Sequence, residues 1–228
     1  MLIKGLQKTT LLDYPSKVAA TIFTGGCNFR CPFCHNASLV TRQNTDAISE
    51  EEVLSFLSRR SGILDGICIT GGEPLLQKDL AEFCQKVREK GLLIKIDTNG
   101  SRPKELKALI DEGLVDYIAM DVKNSRELYA RTCGLSDFPA EVEESIDIIM
   151  SAGIPYEFRT TVVRELHSTE SIEALAEWIR GAEKYYLQSF IDSGDTIGQG
   201  YSAYSAEEMT ALLEITKKYI PTAALRGI

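Results

Sequence analysis

The sequence predicts an α/β fold: a parallel sheet covered by helices and curled into a partial, open (β/α)6 barrel. Three observations predict it. Short apolar runs recur along the chain. Stretches with helical period separate them. The chemically unusual residues follow the runs, where loops would lie, instead of scattering.

The elements follow in order. VAATIF (18–23) is the first predicted strand. Ser49 with Glu52 is a capping-box pair that opens a helix before the second strand, GICIT (66–70). Leu76, Leu80, Phe83, Cys84 and Val87 form the apolar stripe of the next helix, which Gly91 ends before LLIKI (92–96). Pro103 suits a first helical turn, and Gly113 closes that helix ahead of YIAMDV (117–122). Val142, Ile146, Ile149 and Met150 make a further stripe, ended by Gly153, before YEFRTTVV (156–163). The ALAEWI helix, with Trp178 expected in the core, runs to Gly181 and YYLQSF (185–190). Ser205 with Glu208 caps the last helix, and TAALRG (222–227) is expected as a seventh, edge strand. Eight strand–helix units close a barrel of the common type, so about six leave it open. A flat, doubly wound sheet satisfies the same periodicity.

The bulk numbers bound the function. A chain of 228 residues with 44% hydrophobic and 25% charged content suits one α/β domain, residues 1–228. The net charge of -8 and the lack of a Lys/Arg cluster argue against nucleic acid or an anionic membrane as partner. MLIKGLQKTTLLDYP lacks the apolar core of a signal peptide, and no later stretch approaches the ~20 apolar residues of a membrane span. A cytoplasmic protein is expected, and there six cysteines are not a disulfide framework. Cys68, Cys84 and Cys133 are scattered and read as buried small hydrophobes.

Cys27, Cys31 and Cys34 are different, crowded as C-x3-C-x2-C in TIFTGGCNFRCPFCHN (21–36). A structural zinc site needs four ligands, usually in two paired clusters, and the second half is missing. His35 is poorly placed to complete a tetrahedron. A redox pair of Cys31 and Cys34 leaves Cys27 idle. Three thiolates suit three corners of a four-iron cluster, with the fourth iron left open to a ligand. Gly25 and Gly26 allow the tight backbone such a loop needs.

In parallel α/β folds ligands bind at the carboxyl ends of the strands. The cysteine loop follows the first predicted strand, GGEP (71–74) the second and DTNG (97–100) the third; Asp121 to Lys123 end the fourth and Arg159 lies on the fifth. All are expected to face one mouth.

CNFRCPFCHN, with an aromatic Phe33 before the last cysteine, resembles the cluster loop of the radical S-adenosylmethionine (SAM) superfamily. The wider stretch LLDYPSKVAATIFTGGCNFRCPFCHN is similar to the activases of glycyl radical enzymes, foremost those of anaerobic ribonucleoside-triphosphate reductase and more distantly those of pyruvate formate-lyase. The resemblance runs along the chain, strongest to about residue 123 and thin after Arg159. It implies a TIM-like partial barrel, one [4Fe-4S] cluster on Cys27, Cys31 and Cys34, and SAM as cofactor, with Phe33 beside them. It implies that Gly71, Gly72 and Glu73 hold the SAM amino group, and that Asp97, Thr98 and Asp121 lie near the cofactor. Lys123 becomes a candidate partner for the SAM carboxylate.

Other readings stand beside these. Asn99-Gly100 is a common turn pair, and Lys123–Asp121 could be a surface ion pair. A buried Arg159 needs an anion, either the SAM carboxylate or a structural salt bridge. Asp97 and Asp121 at neighbouring strand ends repel unless a cation lies between them, and a monovalent cation or SAM itself would serve. The histidine that reaches SAM after the sixth strand of pyruvate formate-lyase activase has no counterpart in LQSFIDSG, where Gln188 and Asp192 are the candidates. His167 is expected in a loop and exposed.

The resemblance implies reductive cleavage of SAM to methionine and a 5′-deoxyadenosyl radical, which takes a hydrogen from a glycine of a partner enzyme. Flavodoxin or ferredoxin would be the electron donor. The stretch between Cys34 and Gly71 holds a single cysteine, Cys68 within the second predicted strand, so a ferredoxin-like second cluster is not expected. A radical SAM enzyme acting on a small molecule is the nearest rival, and a non-enzymatic iron–sulfur sensor is the rival from another class.

Overall fold

The computed structural model describes residues 1–41, 47–192 and 194–228. Eight strands, β1 (Ile3–Thr10), β2 (Ala19–Thr24), β3 (Gly66–Gly71), β4 (Leu93–Thr98), β5 (Tyr117–Asp121), β6 (Tyr156–Val162), β7 (Tyr185–Ser189) and β8 (Ala224–Arg226), form one sheet. Their spatial order is their sequence order. Every pair from β2 to β8 is parallel, and β1 runs antiparallel to β2. A doubly wound sheet reverses its strand order at a switch point. This sheet does not, so the flat alternative is excluded. β1 and β8 are its two edges, and the barrel is open.

The six predicted strands are β2 to β7, and the seventh is β8. The eighth, β1, is a correction: IKGLQKTT has no clean alternation, and within it only Ile3 and Thr10 are buried. An edge strand with one half-covered face carries a weak pattern. Its ladder with β2 also contains two register irregularities.

The helices are α1 (Ala37–Thr41), α2 (Glu50–Arg59), α3 (Leu80–Arg88), α4 (Pro103–Asp111), α5 (Arg126–Cys133), α6 (Ala140–Ser151), α7 (Thr169–Trp178) and α8 (Ala206–Lys217). Ser49 caps α2 by accepting from the Glu52 N–H, and Ser205 and Glu208 form the full reciprocal box on α8. Pro103 opens α4. Gly91, Gly113, Gly153 and Gly181 all have positive φ, the left-handed turn that ends a helix. The α3 stripe of Leu80, Phe83, Cys84 and Val87 is buried as its spacing requires. No helix among the described residues is long and apolar enough to cross a membrane.

Strand periodicity sorts the sheet into two faces. Ile22, Ile67, Ile69, Ile94, Ile96, Ile118 and Phe158 are fully buried in the core shared with the helices. The alternate positions hold Cys68, Lys95, Asp97, Asp121, Glu157 and Arg159, so the other face is polar. That face is the concave one, and its upper end is the site.

Candidate active site

The loop after β2 carries the three cysteines. Phe29 and Phe33 are buried anchors within it. The Gly26 N–H donates to the Leu39 carbonyl at 2.9 Å, and the Arg30 N–H donates to the Cys133 carbonyl at 2.9 Å. The loop is thereby fastened to α1 on one side and to the end of α5 on the other.

The Gly71-Gly72 turn after β3 meets this loop directly. The Gly72 N–H donates to Thr24 and the Glu73 N–H donates to Gly26, both at 2.9 Å. A Cβ on Gly72 would lie 1.9 Å from the Gly26 carbonyl oxygen. Gly71 has a φ of +109°, and a Cβ there would come within 2.5 Å of Thr24 backbone atoms. Backbone contact, not side-chain packing, therefore joins the two loops. Cys27, Cys31, Cys34, Gly71 and Gly72 line one cavity of about 350 Å³, together with Phe33, Asp97, Thr98, Asp121, Lys123 and Arg159.

Among the described residues no three His, Cys, Asp or Glu side chains converge closely enough to hold a single metal ion. In a cubane each thiolate holds a different iron, so the three cysteines need not converge on one point. Burial pushes the Cys27 thiol up to about 11 and raises Cys34 as well. Cys31 is lowered, first by a hydrogen bond shared with the Cys133 thiol and further by the charge of Lys123. Lys123 also favours the thiolate at Cys27 and Cys34. Soft sulfur donors around one cationic side chain, open to a cavity, fit an iron–sulfur cluster.

Charged side chains form a ladder across the strand ends. Arg159 Nε donates to Asp121 Oδ1 and Nη1 to Asp97 Oδ2, both at 2.9 Å. Lys123 Nζ donates to the other Asp121 oxygen at 2.9 Å, and Lys95 pairs with the other Asp97 oxygen. Burial opposes charge on both carboxylates, but Arg159 with Lys95 holds Asp97 below its usual range, and Arg159 with Lys123 does so for Asp121. The salt bridge considered for Arg159 is formed, with both carboxylates. The cation needed between Asp97 and Asp121 is Arg159 itself. Beneath them Glu157 accepts both Arg226 Nη1 at 2.9 Å and Nη2 at 3.1 Å.

Glu73 is placed out of the cavity, fully buried. Its carboxylate accepts from the Leu75 N–H at 3.0 Å, the Thr98 hydroxyl at 2.9 Å and the Asn99 N–H at 2.7 Å. Burial still outweighs these donors and pushes it up to about 7. It ties the loop after β3 to the loop after β4. Gln188 reaches the cavity wall, whereas Asp192 is exposed and accepts from the Gly194 N–H. Trp178 is half-buried against Tyr129 and Phe138.

His167 corrects an expectation. It is buried, not exposed. Its Nδ1 accepts from the Val163 N–H at 3.0 Å, which leaves the proton on Nε2 to donate to the Lys123 carbonyl at 2.8 Å. The sequence reading also passed over Lys95, Glu157 and Arg226. Lys95 sits inside the apolar run LLIKI, and a charge in such a run is the signal that could have found it. Cys133 gave no local signal, because its neighbour is more than a hundred positions away.

Comparisons with known proteins agree with this geometry. The family model described as "Radical SAM superfamily" matches residues 21–180. A Methanocaldococcus jannaschii protein with the provisional name glycyl-radical enzyme activating enzyme is 34% identical over 236 aligned positions, covering 100% of this chain and 96% of its own. The pyruvate formate-lyase-activating enzyme of Clostridium pasteurianum is 26% identical over 194 positions, covering 81% of this chain and 80% of its own. A GTP 3′,8-cyclase of Helicobacter pylori is 33% identical over 162 positions, 67% of this chain and 49% of its own. Among solved structures, Streptococcus suis SuiB bound to the precursor peptide SuiA aligns with a TM-score of 0.73 at 17% identity, over 91% of this chain and 48% of that one. A domain of the pyruvate formate-lyase-activating enzyme from Bacteroides vulgatus aligns with a TM-score of 0.59 at 19% identity, over 71% of this chain and 99% of that one.

Proposed function

This chain belongs to the radical SAM superfamily and within it to the glycyl-radical-enzyme activating enzymes, and from that premise we propose that it generates a glycyl radical in a partner, anaerobic ribonucleoside-triphosphate reductase. The observation that carries this reading is the cysteine loop and the Gly71-Gly72 turn, bonded to each other and lining one cavity. The family's cofactors are a [4Fe-4S] cluster and SAM.

Cys27, Cys31 and Cys34 would hold the cluster, with Phe33 packing behind them. When bound, the cluster and SAM supply one-electron cleavage of the sulfonium and a carbon radical that takes hydrogen from a glycine Cα. The chain's own residues bind and orient. Gly71 and Gly72 present backbone carbonyls to an ammonium, and Glu73, buried beneath them, ties their loop to the loop after β4. Lys123 is the cation for the carboxylate of SAM. Asp97, Thr98 and Asp121 line the remaining wall, and Arg159 holds the two carboxylates in place. The chain acts as a single domain in the cytoplasm, with flavodoxin or ferredoxin supplying the electron.

The GTP cyclase relative keeps a small-molecule reading in view. A triphosphate needs cations to meet it. Among the described residues, the lysine and arginines lining the cavity, Lys123, Arg159 and Arg226, are each already paired with a carboxylate. With Lys123 assigned to SAM, only the two paired arginines of this set remain to meet a triphosphate, which favours a neutral substrate such as a peptide main chain.

The test is anaerobic. The protein is reconstituted with iron and sulfide, reduced with dithionite and given SAM, and 5′-deoxyadenosine is quantified. The expected result is product from the wild type and none from Cys34→Ala, then a glycyl-radical EPR signal when anaerobic ribonucleotide reductase is added. A fully loaded cluster with no product would overturn the enzyme reading. Product without a glycyl radical would overturn the choice of partner.

A further inference from the structure

The segment Asp121-Val122-Lys123 leaves the end of β5 and carries both a carboxylate and an ammonium to the cavity. Loop backbone at a strand end is ordinarily mobile. Here the three successive carbonyls are each met by a buried side-chain donor from another part of the fold. The Tyr129 hydroxyl on α5 donates to the Asp121 carbonyl at 3.4 Å. The Thr160 hydroxyl on β6 donates to the Val122 carbonyl at 2.6 Å. His167 Nε2 donates to the Lys123 carbonyl at 2.8 Å. Tyr129 and Thr160 are fully buried and His167 is 3% exposed, and none of the three lines the cavity.

The donors are themselves held. Tyr185 donates to the Thr160 oxygen at 2.7 Å, the Val163 N–H donates to His167 Nδ1, and the Tyr204 hydroxyl donates to the His167 carbonyl at 2.6 Å. The next residue, Asn124, is tied to Thr132 and to the Leu166 carbonyl, both at 2.9 Å. A buried polar group without a partner is costly, so each of these bonds constrains the backbone it meets.

We propose that Tyr129, Thr160 and His167 are positioning residues, a clamp that sets the direction of Asp121 and Lys123, with His167 governing Lys123. The inference rests on the reading of Lys123 as a contact of SAM. Partners of this outer kind, when removed, lower affinity or activity about 10- to 100-fold in well-studied metal sites.

The experiment compares His167→Asn, which cannot reach the Lys123 carbonyl, with His167→Gln, whose amide nitrogen can take the place of Nε2. Thr160→Val provides a second, near-isosteric variant should His167→Asn fail to fold. Two quantities are read: amide hydrogen exchange across residues 121–124 in the cofactor-free protein, and equilibrium SAM binding to the cluster-loaded protein, each also in a Lys123→Met background. The expected result is faster exchange confined to this segment and about tenfold weaker SAM binding in His167→Asn, both recovered in His167→Gln. Within Lys123→Met, His167→Asn should weaken binding no further. Unchanged exchange in both His167→Asn and Thr160→Val would overturn the clamp. So would a loss of SAM affinity that multiplies in full with Lys123→Met. If Lys123→Met alone leaves SAM binding unchanged while exchange still rises in His167→Asn, the clamp stands and the reading of Lys123 falls.

Discussion

Arg159 shows how one side chain organises the charge of the site. It is 13% exposed and bridges two carboxylates on the adjacent strand ends, which are otherwise like charges. Removing one partner from such an arrangement leaves uncompensated charge, at a cost of about 3–5 kcal/mol. Arg159→Met should therefore lower the unfolding free energy by that order, measured in urea, while Arg159→Lys should lose less. Glu73 is the other informative residue. Its folded pKa, about 7, lies above its unfolded value, roughly 4.3. The protonated form favours folding, so this contribution is fully present below about pH 4 and is lost as pH rises through about 7. The cofactor-free protein should become less stable between about pH 4 and 7, and Glu73→Gln should flatten that slope in pH-dependent thermal melts. An unchanged slope would place the titration elsewhere. Glu73 was legible in the sequence as part of GGEP, yet its direction was not. Whether a carboxylate faces a ligand or its own scaffold depends on donors such as Thr98 and Asn99, which sequence spacing does not orient.

At the scale of elements, the site is made where two loops touch. Gly72 and Gly26 belong to different strand ends, and their contact tolerates no side chain on Gly72. Gly72→Ala has to separate the loops, and overpacking of this kind costs about 1–3 kcal/mol. It should also reduce iron bound per chain after reconstitution, measured by iron and sulfide analysis. Full iron loading in that variant would show that the cysteine loop does not depend on the turn after β3. Helix caps were readable because they are local: Ser49 and Ser205 stand where their spacing puts them. The Ser168–Ser171 box opening α7 was missed, since its serine at the third position replaces the usual Glu or Gln. His167, one residue before that cap, was misread because its burial is not a local property. Its burial comes from contacts with Lys123, Val163 and Tyr204, and a polar residue between two elements looks like loop until those contacts are seen.

For the molecule as a whole, the sheet runs from β1 to β8 without closing, and its concave face is charged where its convex face is apolar. The edge strand β1 belongs to this architecture: Ile3 is fully buried in the shared core and bridges to Ile48. Ile3→Ala should cost about 2–5 kcal/mol in denaturant unfolding. A loss under about 0.5 kcal/mol would make β1 an appendage, since changes that small are typical of surface positions. By itself the sequence determined the strand and helix alternation, the three-cysteine loop and the strand-end placement of Gly71, Asp97, Asp121 and Lys123, because periodicity, capping and spacing are local properties of the chain. The tertiary structure alone decided that Arg159 joins Asp97 to Asp121, that Cys133 meets Cys31, that Glu73 turns inward and that His167 holds Lys123. Those contacts join residues brought together by barrel curvature and by burial, and hydrogen-bond partners of buried groups are chosen by proximity in space, on which sequence separation is silent.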